Sequence, residues 1–163
     1  MSAPITVTLL GTGSPLPDPN RAGPSTLVTT ADGTHLLVDA GRGVMMRLSG
    51  AGVAAGQVAA VLLTHLHSDH ITDLGDVITT RWVTTFTRTP LTIVGPEGTA
   101  AVVRDLLASL GPDVCYRLAH HDDLDHEPPV SVVEVADGAV PLDLPGTTVT
   151  CAPTDHRPVH PTV

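Results

Sequence analysis

Between His65 and His70 the chain reads His-Leu-His-Ser-Asp-His, which places three imidazoles and a carboxylate within six residues. His65 and His67 lie two apart at the end of an apolar run, so a backbone that stays extended points both rings to one side. Asp69 and His70 follow where the chain bends, and they present a carboxylate and a third imidazole to a second point a few ångströms away. Neutral imidazole and carboxylate suit zinc and similar divalent ions, and two such ions held ~3.5 to 4 Å apart can hold a bridging hydroxide, a nucleophile at neutral pH. A surface loop that is merely rich in histidine is the alternative. The spacing, directly after a buried strand, favours metal.

Those residues need elements to position them. Ile5 to Leu10 alternates apolar and Thr side chains and stops at Gly11-Thr12-Gly13, the profile of a half-buried strand entering a tight turn. Ser14 to Pro24 carries Pro15, Pro17, Pro19 and Pro24, which exclude helix and central strand and make a stiff loop. Ser25–Thr30 and Thr34–Asp39 read as a hairpin around Asp32-Gly33. Arg42–Ser49 has helical spacing closed by Gly50, with Met45 and Met46 as core filler. Val58–Thr64 reads as a strand buried on both faces, and it leads straight into His65. Beyond it the pattern gives a helix over Thr72–Thr85, a strand over Leu91–Val94 and a helix over Glu97–Leu110. Pro112–Pro129 is acidic and reads as irregular, and Val130–Val135 and Thr147–Ala152 read as the last strands. No repeat or linker divides the chain, so residues 1–163 are expected to form a single domain.

Composition limits what such a domain can be. With 42% apolar and 15% charged residues among 163, the chain is not intrinsically disordered. Its length is enough to bury roughly 70% of the unfolded surface. Seventeen acids against eight bases, all of them Arg, give a net charge of −9. Such a surface offers no basic stripe to coat a nucleic acid, although a localised phosphate site stays open. Met1 to Leu10 has no basic leader region, and Val58–Leu63, the longest apolar run, falls far short of the ~20 residues of a membrane span. A cytoplasmic protein with no membrane partner is expected. Cys115 and Cys151 form no close pair and read as two buried thiols. His120, His121, His126 and His160 sit in no comparable pattern and read as solvated loop residues. Gly11, Gly13 and Gly41 read as backbone-conformation residues, because no helix follows Gly13 to cradle a phosphate.

Thr64-His65-Leu66-His67-Ser68-Asp69-His70 resembles the signature of the metallo-β-lactamase superfamily. Leu9-Leu10-Gly11-Thr12-Gly13-Ser14 and Leu37-Val38-Asp39-Ala40-Gly41 resemble its ribonuclease Z and arylsulfatase-like branch. The resemblance extends over essentially the whole chain, most clearly from Ile5 to Thr80. It implies an α/β architecture, the αββα sandwich, with a dinuclear metal site at one edge. His65 and His67 would bind a first ion, and Asp69 and His70 a second. Asp69 would also orient the attacking water and accept its proton. A third ligand to the first ion is implied on a later loop, and His156 within Ala152-Pro153-Thr154-Asp155-His156 matches that context. Asp39 would be a buried carboxylate behind the ligands, or else simply a strand-end turn residue.

The implied function is a metal-dependent hydrolase, a ribonuclease Z-like phosphodiesterase of the tRNA 3′-end processing type that uses a zinc-bound hydroxide. Two zinc ions are implied, with manganese or iron as other choices. The alternatives are an arylsulfatase-like or other small-ester hydrolase, and a metal-binding remnant or partner subunit without turnover. Ribonuclease Z enzymes carry a Lys and an Asn near the tRNA end where this chain has Pro19 and Ala22. The family also takes a bridging Asp and a final His from segments after the His156 loop, whereas only seven residues follow His156 here and none is Asp. The expectation is therefore the N-terminal portion of the sandwich, truncated after the third metal motif. A homo-oligomer, a second chain or the rest of a longer enzyme would complete it. Apolar strand faces and an open sheet edge are expected to be exposed.

Overall fold

The computed structural model describes residues 4–157. Alternating Thr and aliphatic side chains make β1 (Thr6–Gly11), and the hairpin forms as β2 (Ser25–Thr29) and β3 (His35–Val38). Its turn needs Gly33, whose φ of 89° lies in the left-handed region. β4 (Val58–Leu62), β5 (Leu91–Gly95) and β6 (Val130–Glu134) follow, and all six strands form one sheet whose spatial order is the chain order. The first two pairings are antiparallel and the last three parallel. The helices are α1 (Val44–Gly50), α2 (Ser68–Ile71), α3 (Leu74–Thr85), α4 (Thr99–Ser109) and α5 (Gly111–His120).

Because strand residues alternate between faces, the register puts Leu27, Leu37, Val61, Ile93 and Val132 in one row across the sheet. That row packs against Val44 and Leu48 of α1, Leu74, Val77 and Ile78 of α3, and Val103 of α4. Leu37, Val61 and Ile93 are fully buried, so truncating Leu37 to Ala costs about 2–5 kcal/mol. On the other face a two-stranded ribbon, β7 (Gly138–Ala139) with β8 (Thr150–Cys151), covers only the β4–β6 end. There Val140, Leu142, Val149 and Cys151 pack on Leu62, Val94 and Val133. At the β1 end the same face lies open, with Val7 62% and Leu9 68% exposed, as the expectation of bare apolar strand faces requires.

Several readings need correction. Pro112–Pro129 is not irregular throughout, because α5 occupies its first half. Pro112 sits at the start of the helix, where a missing N–H costs nothing, and Asp113 pairs with Arg117 one turn on at 2.8 Å. Val114 and Leu118 give that helix its buried side against Trp82. The helix expected over Thr72–Thr85 forms as α3, starting at Leu74 after Asp73, and a further short helix, α2, precedes it over Ser68–Ile71. The Asp73 carboxylate accepts the Gly43 N–H at 2.5 Å and so turns outward from the helical ladder. The Thr147–Ala152 strand shrinks to β8, since its partner β7 offers only two residues. Cys115 is exposed on α5 while Cys151 is buried. Met45 packs against the core, but Met46 is 81% exposed. His126 is not a solvated loop residue: its Nε2 lies 3.0 Å from the Thr87 carbonyl, and its own carbonyl accepts the Trp82 indole N–H. His120 is exposed and His121 half-buried, while His160 lies outside the described residues.

Candidate metal centre

β4 ends at Leu62, and Leu63-Thr64 carries the chain out at the C-terminal edge of the parallel strands, where such sheets place ligand-binding loops. His65 Nε2 then lies 2.9 Å from His67 Nδ1. His156 arrives from beyond β8, with ring-centre distances of 4.9 Å to His65 and 5.2 Å to His67. One ligand atom from each of the three lies within 4.8 Å of the others. Tetrahedral nitrogens around an ion at ~2.0–2.1 Å stand about 3.3–3.4 Å apart, so this cluster has the scale of a metal shell and its donor type fits a divalent ion. Asp69 Oδ2 and His70 Nε2 lie 3.8 Å apart, and the His65 and His70 rings are 4.0 Å apart. All six residues singled out in the sequence, His65, His67, Asp69, His70, His156 and Asp39, line one cavity of about 760 Å³.

Asp39 organises the wall of that cavity. Its Oδ1 accepts the Thr64 N–H at 2.9 Å, and its Oδ2 lies 2.7 Å from His70 Nδ1. The Thr64 hydroxyl is 2.9 Å from Asp39 Oδ2 and 3.0 Å from His65 Nδ1. A carboxylate only accepts, so the hydroxyl donates to Asp39 and accepts from His65 Nδ1–H, while His70 donates its own Nδ1–H directly. Both rings are thereby set to the tautomer whose Nε2 carries a free lone pair toward the cavity. One carboxylate thus reaches the His65 ring through Thr64 and the His70 ring directly.

The backbone around Asp39 is correspondingly constrained. Its φ of 61° is left-handed, which costs a non-glycine residue on the order of 1 kcal/mol. Backbone bonds hold it there: Asp39 N–H to the Leu62 carbonyl at 2.9 Å, Ala40 N–H to the His70 carbonyl at 2.7 Å, and Asp73 N–H back to Ala40 at 3.0 Å. A Cβ on Gly41 would stand 2.5 Å from the Asp69 carbonyl, so only glycine lets β3 and the ligand loop approach this closely.

His65, Asp69 and Asp39 are all buried. Burial first, then the neighbouring His70 and His67, hold the His65 imidazole below the ordinary histidine range, so it is neutral and able to ligate at pH 7. On the far wall Asp155 is exposed and forms a two-point pair with Arg157 at 2.8–2.9 Å, which keeps its carboxyl below the usual range. Sequence reasoning gave no role to Thr64, although it begins the recognised motif. It also missed Pro15, Thr154 and Asp155 in the lining, and for Pro15 no local signal existed.

Known proteins resemble this arrangement. A family description, anti-Pycsar protein Apyc1, matches residues 5–160. A ribonuclease Z of Mycobacterium sp. (strain KMS) is 62% identical over 160 residues, covering 98% of this chain and 55% of that protein. The chain thus spans about half the length of the curated relatives it matches. The metallo-β-lactamase fold protein YhfI of Bacillus subtilis superposes with a TM-score of 0.68 at 25% identity, over 96% of this chain and 54% of that one. Human tRNase Z, short form, superposes with a TM-score of 0.71 at 22% identity, over 96% of this chain and 61% of that one.

Proposed function

We infer, because the chain belongs to the anti-Pycsar protein Apyc1 family and has the metallo-β-lactamase fold, that it is the ligand-bearing part of a metal-dependent phosphodiesterase of the ribonuclease Z type. Its substrate on this reading is RNA, cleaved at the 3′ end of a precursor tRNA. The observation that carries the inference is the meeting of three imidazoles with the Asp39, Asp69 and His70 cluster in one cavity, in a chain 62% identical to a ribonuclease Z.

His65, His67 and His156 would hold one divalent ion, and Asp69 with His70 would contribute to a second. Zinc is the choice that imidazole-rich ligation favours. The chemistry such an ion would supply is activation of a water toward a pKa of ~7 and neutralisation of charge on the phosphoryl oxygens. The protein's own part is positional and basic. Asp69, with only 7% of its surface exposed, accepts the proton of the attacking water, and its burial limits competition from bulk solvent. Asp39 keeps the His65 and His70 rings aimed inward through Thr64 and directly. The bridging carboxylate and last imidazole that the family implies come from the part of the relatives' length that this chain does not span. That part, or a second copy of the chain, also covers Val7 and Leu9. A cytoplasmic location goes with the reading as a precursor-tRNA phosphodiesterase; no described helix is long and apolar enough to cross a membrane, which by itself says nothing of location.

A small phosphate or sulfate ester is the second reading, favoured by the net charge of −9 and by Pro19 where ribonuclease Z has Lys. Incubating the zinc-loaded protein with a precursor tRNA, an aryl phosphodiester and an aryl sulfate decides between them. Cleavage of the precursor at its 3′ side, lost in Asp69→Ala, is expected. Cleavage of the sulfate alone sinks the phosphodiesterase reading. One tight zinc per chain with no turnover of any substrate would make the chain a metal-binding subunit instead.

A further inference from the structure

Ten residues line the metal cavity, and the chemistry described so far uses most of them. His65, His67 and His156 face one ion position, Asp69 and His70 stand beside it, and Asp39 with Thr64 holds the His65 and His70 rings. Pro15 has no polar side chain. Two polar groups are left over, Thr154 and Asp155, both exposed and immediately before His156 in the chain. Asp155 is held in a set direction. Arg157 donates to it twice, from Nε to Oδ1 at 2.9 Å and from Nη2 to Oδ2 at 2.8 Å. A carboxylate offers about four lone-pair sites, so a two-point fork leaves acceptor positions on both oxygens.

What such a group selects follows from its charge and its place. An exposed aspartate is ionised at neutral pH and can only accept, so its partner must be a donor. The paired guanidinium offsets its negative charge, which reduces the repulsion that a bare carboxylate lining the cavity would exert on an incoming phosphate. Because Asp155 is one residue from a metal-facing imidazole, the donor has to lie close to the phosphorus. In an RNA strand the nearest hydroxyl to a scissile phosphate is the 2′-OH of the ribose that carries it on O3′; a base amino group is several bonds farther away. An aryl ester has no such hydroxyl, and DNA lacks it too. We propose that Asp155, oriented by Arg157, is a specificity-determining residue that accepts a hydrogen bond from the 2′-hydroxyl next to the phosphate at the metal centre. This rests on the phosphodiesterase reading and names the part of the substrate that marks it as RNA rather than a small ester.

The test is binding, read without turnover. Uridine 3′-monophosphate and 2′-deoxyuridine 3′-monophosphate differ by that one oxygen and contain no diester to cleave, and each is titrated calorimetrically into the zinc-loaded protein. A site that hydrogen-bonds a substrate hydroxyl rejects the analogue lacking it, and water screens an exposed carboxylate, so the ribonucleotide is expected to bind about three to ten times more tightly. Asp155→Ala is expected to bring the ribonucleotide down to the affinity of the deoxynucleotide and to leave the deoxynucleotide unchanged. Arg157→Ala keeps the acceptor but frees it, and is expected to narrow the ratio. Equal affinities in the parent, no binding of either nucleotide, or equal weakening of both by Asp155→Ala would overturn the assignment. A fall in zinc affinity in Asp155→Ala would overturn it as well, because the residue would then act through His156 and not on the substrate. An unchanged ratio in Arg157→Ala would overturn the orienting role of the arginine. Cleavage of precursor tRNA by a protein that does not tell the two nucleotides apart sinks this assignment alone. Discrimination in binding with no cleavage of any RNA removes the phosphodiesterase reading and keeps the 2′-hydroxyl contact, so the two failures are told apart.

Discussion

The rings of His65 and His156 stand 4.9 Å apart, yet the chain holds them by opposite means. His65 follows a central parallel strand, is buried, and is gripped from behind by the Thr64 hydroxyl and Asp39. His156 follows a two-residue strand and is exposed, beside an Asp155–Arg157 pair that lies on the surface. Buried networks in a low-dielectric setting restrict a ligand before any ion arrives, whereas exposed pairs lose most of their strength to solvent. One wall of the cavity is therefore built by the fold and the other is completed by what binds between them.

This contrast can be broken by mutation. Deleting His65 with His65→Ala removes a ligand from the built wall and is expected to lower zinc affinity on the order of 10²–10³-fold, since structural zinc sites gain ~10–16 kcal/mol from about four ligands. Calorimetric titration at fixed pH measures it. Asp39→Ala leaves every ligand in place but releases both the His65 and His70 rings, so an affinity loss of about 10–100-fold is expected. Equal affinities for Asp39→Ala and the parent would mean that the rings are held by packing alone.

Thr64→Val removes only the hydroxyl between Asp39 and His65, and with it two hydrogen bonds worth ~0.5–1.5 kcal/mol each, while His70 keeps its carboxylate, so a loss of roughly fivefold to a few tens of fold in affinity is expected. A competition titration of this variant that matches Asp39→Ala would show that His65, rather than His70, carries the carboxylate's effect. Smallest is Asp155→Ala. Solvent screens an exposed pair, so zinc affinity and melting temperature should stay within error of the parent. A loss as large as that of Asp39→Ala would erase the difference between the two walls.

The built wall was also the legible one. His65, His67, Asp69 and His70 lie within six residues after a run of aliphatics, so strand period and ligand spacing announce them together. The hairpin around Gly33 and the order of strands and helices through α4 are similarly local signals. What escaped depends on distant partners. α5 is marked by an acid, a proline and few apolar residues, and its helical side appears only once Trp82 is there to receive Val114 and Leu118. His126 looks like one more acidic-loop histidine until Thr87 is brought to it.

The identity of spatial and sequence order among the six strands bears on how the protein is made. Each strand finds its partner immediately before it, so pairing has short loop-closure distances and can advance as the chain leaves the ribosome. At about 5–20 residues per second, His65, His67, Asp69 and His70 emerge with Asp39 already synthesised, several seconds before His156 appears. For that interval the nascent chain carries one wall of the cavity above an unfinished sheet, before translation has supplied the residue that faces it.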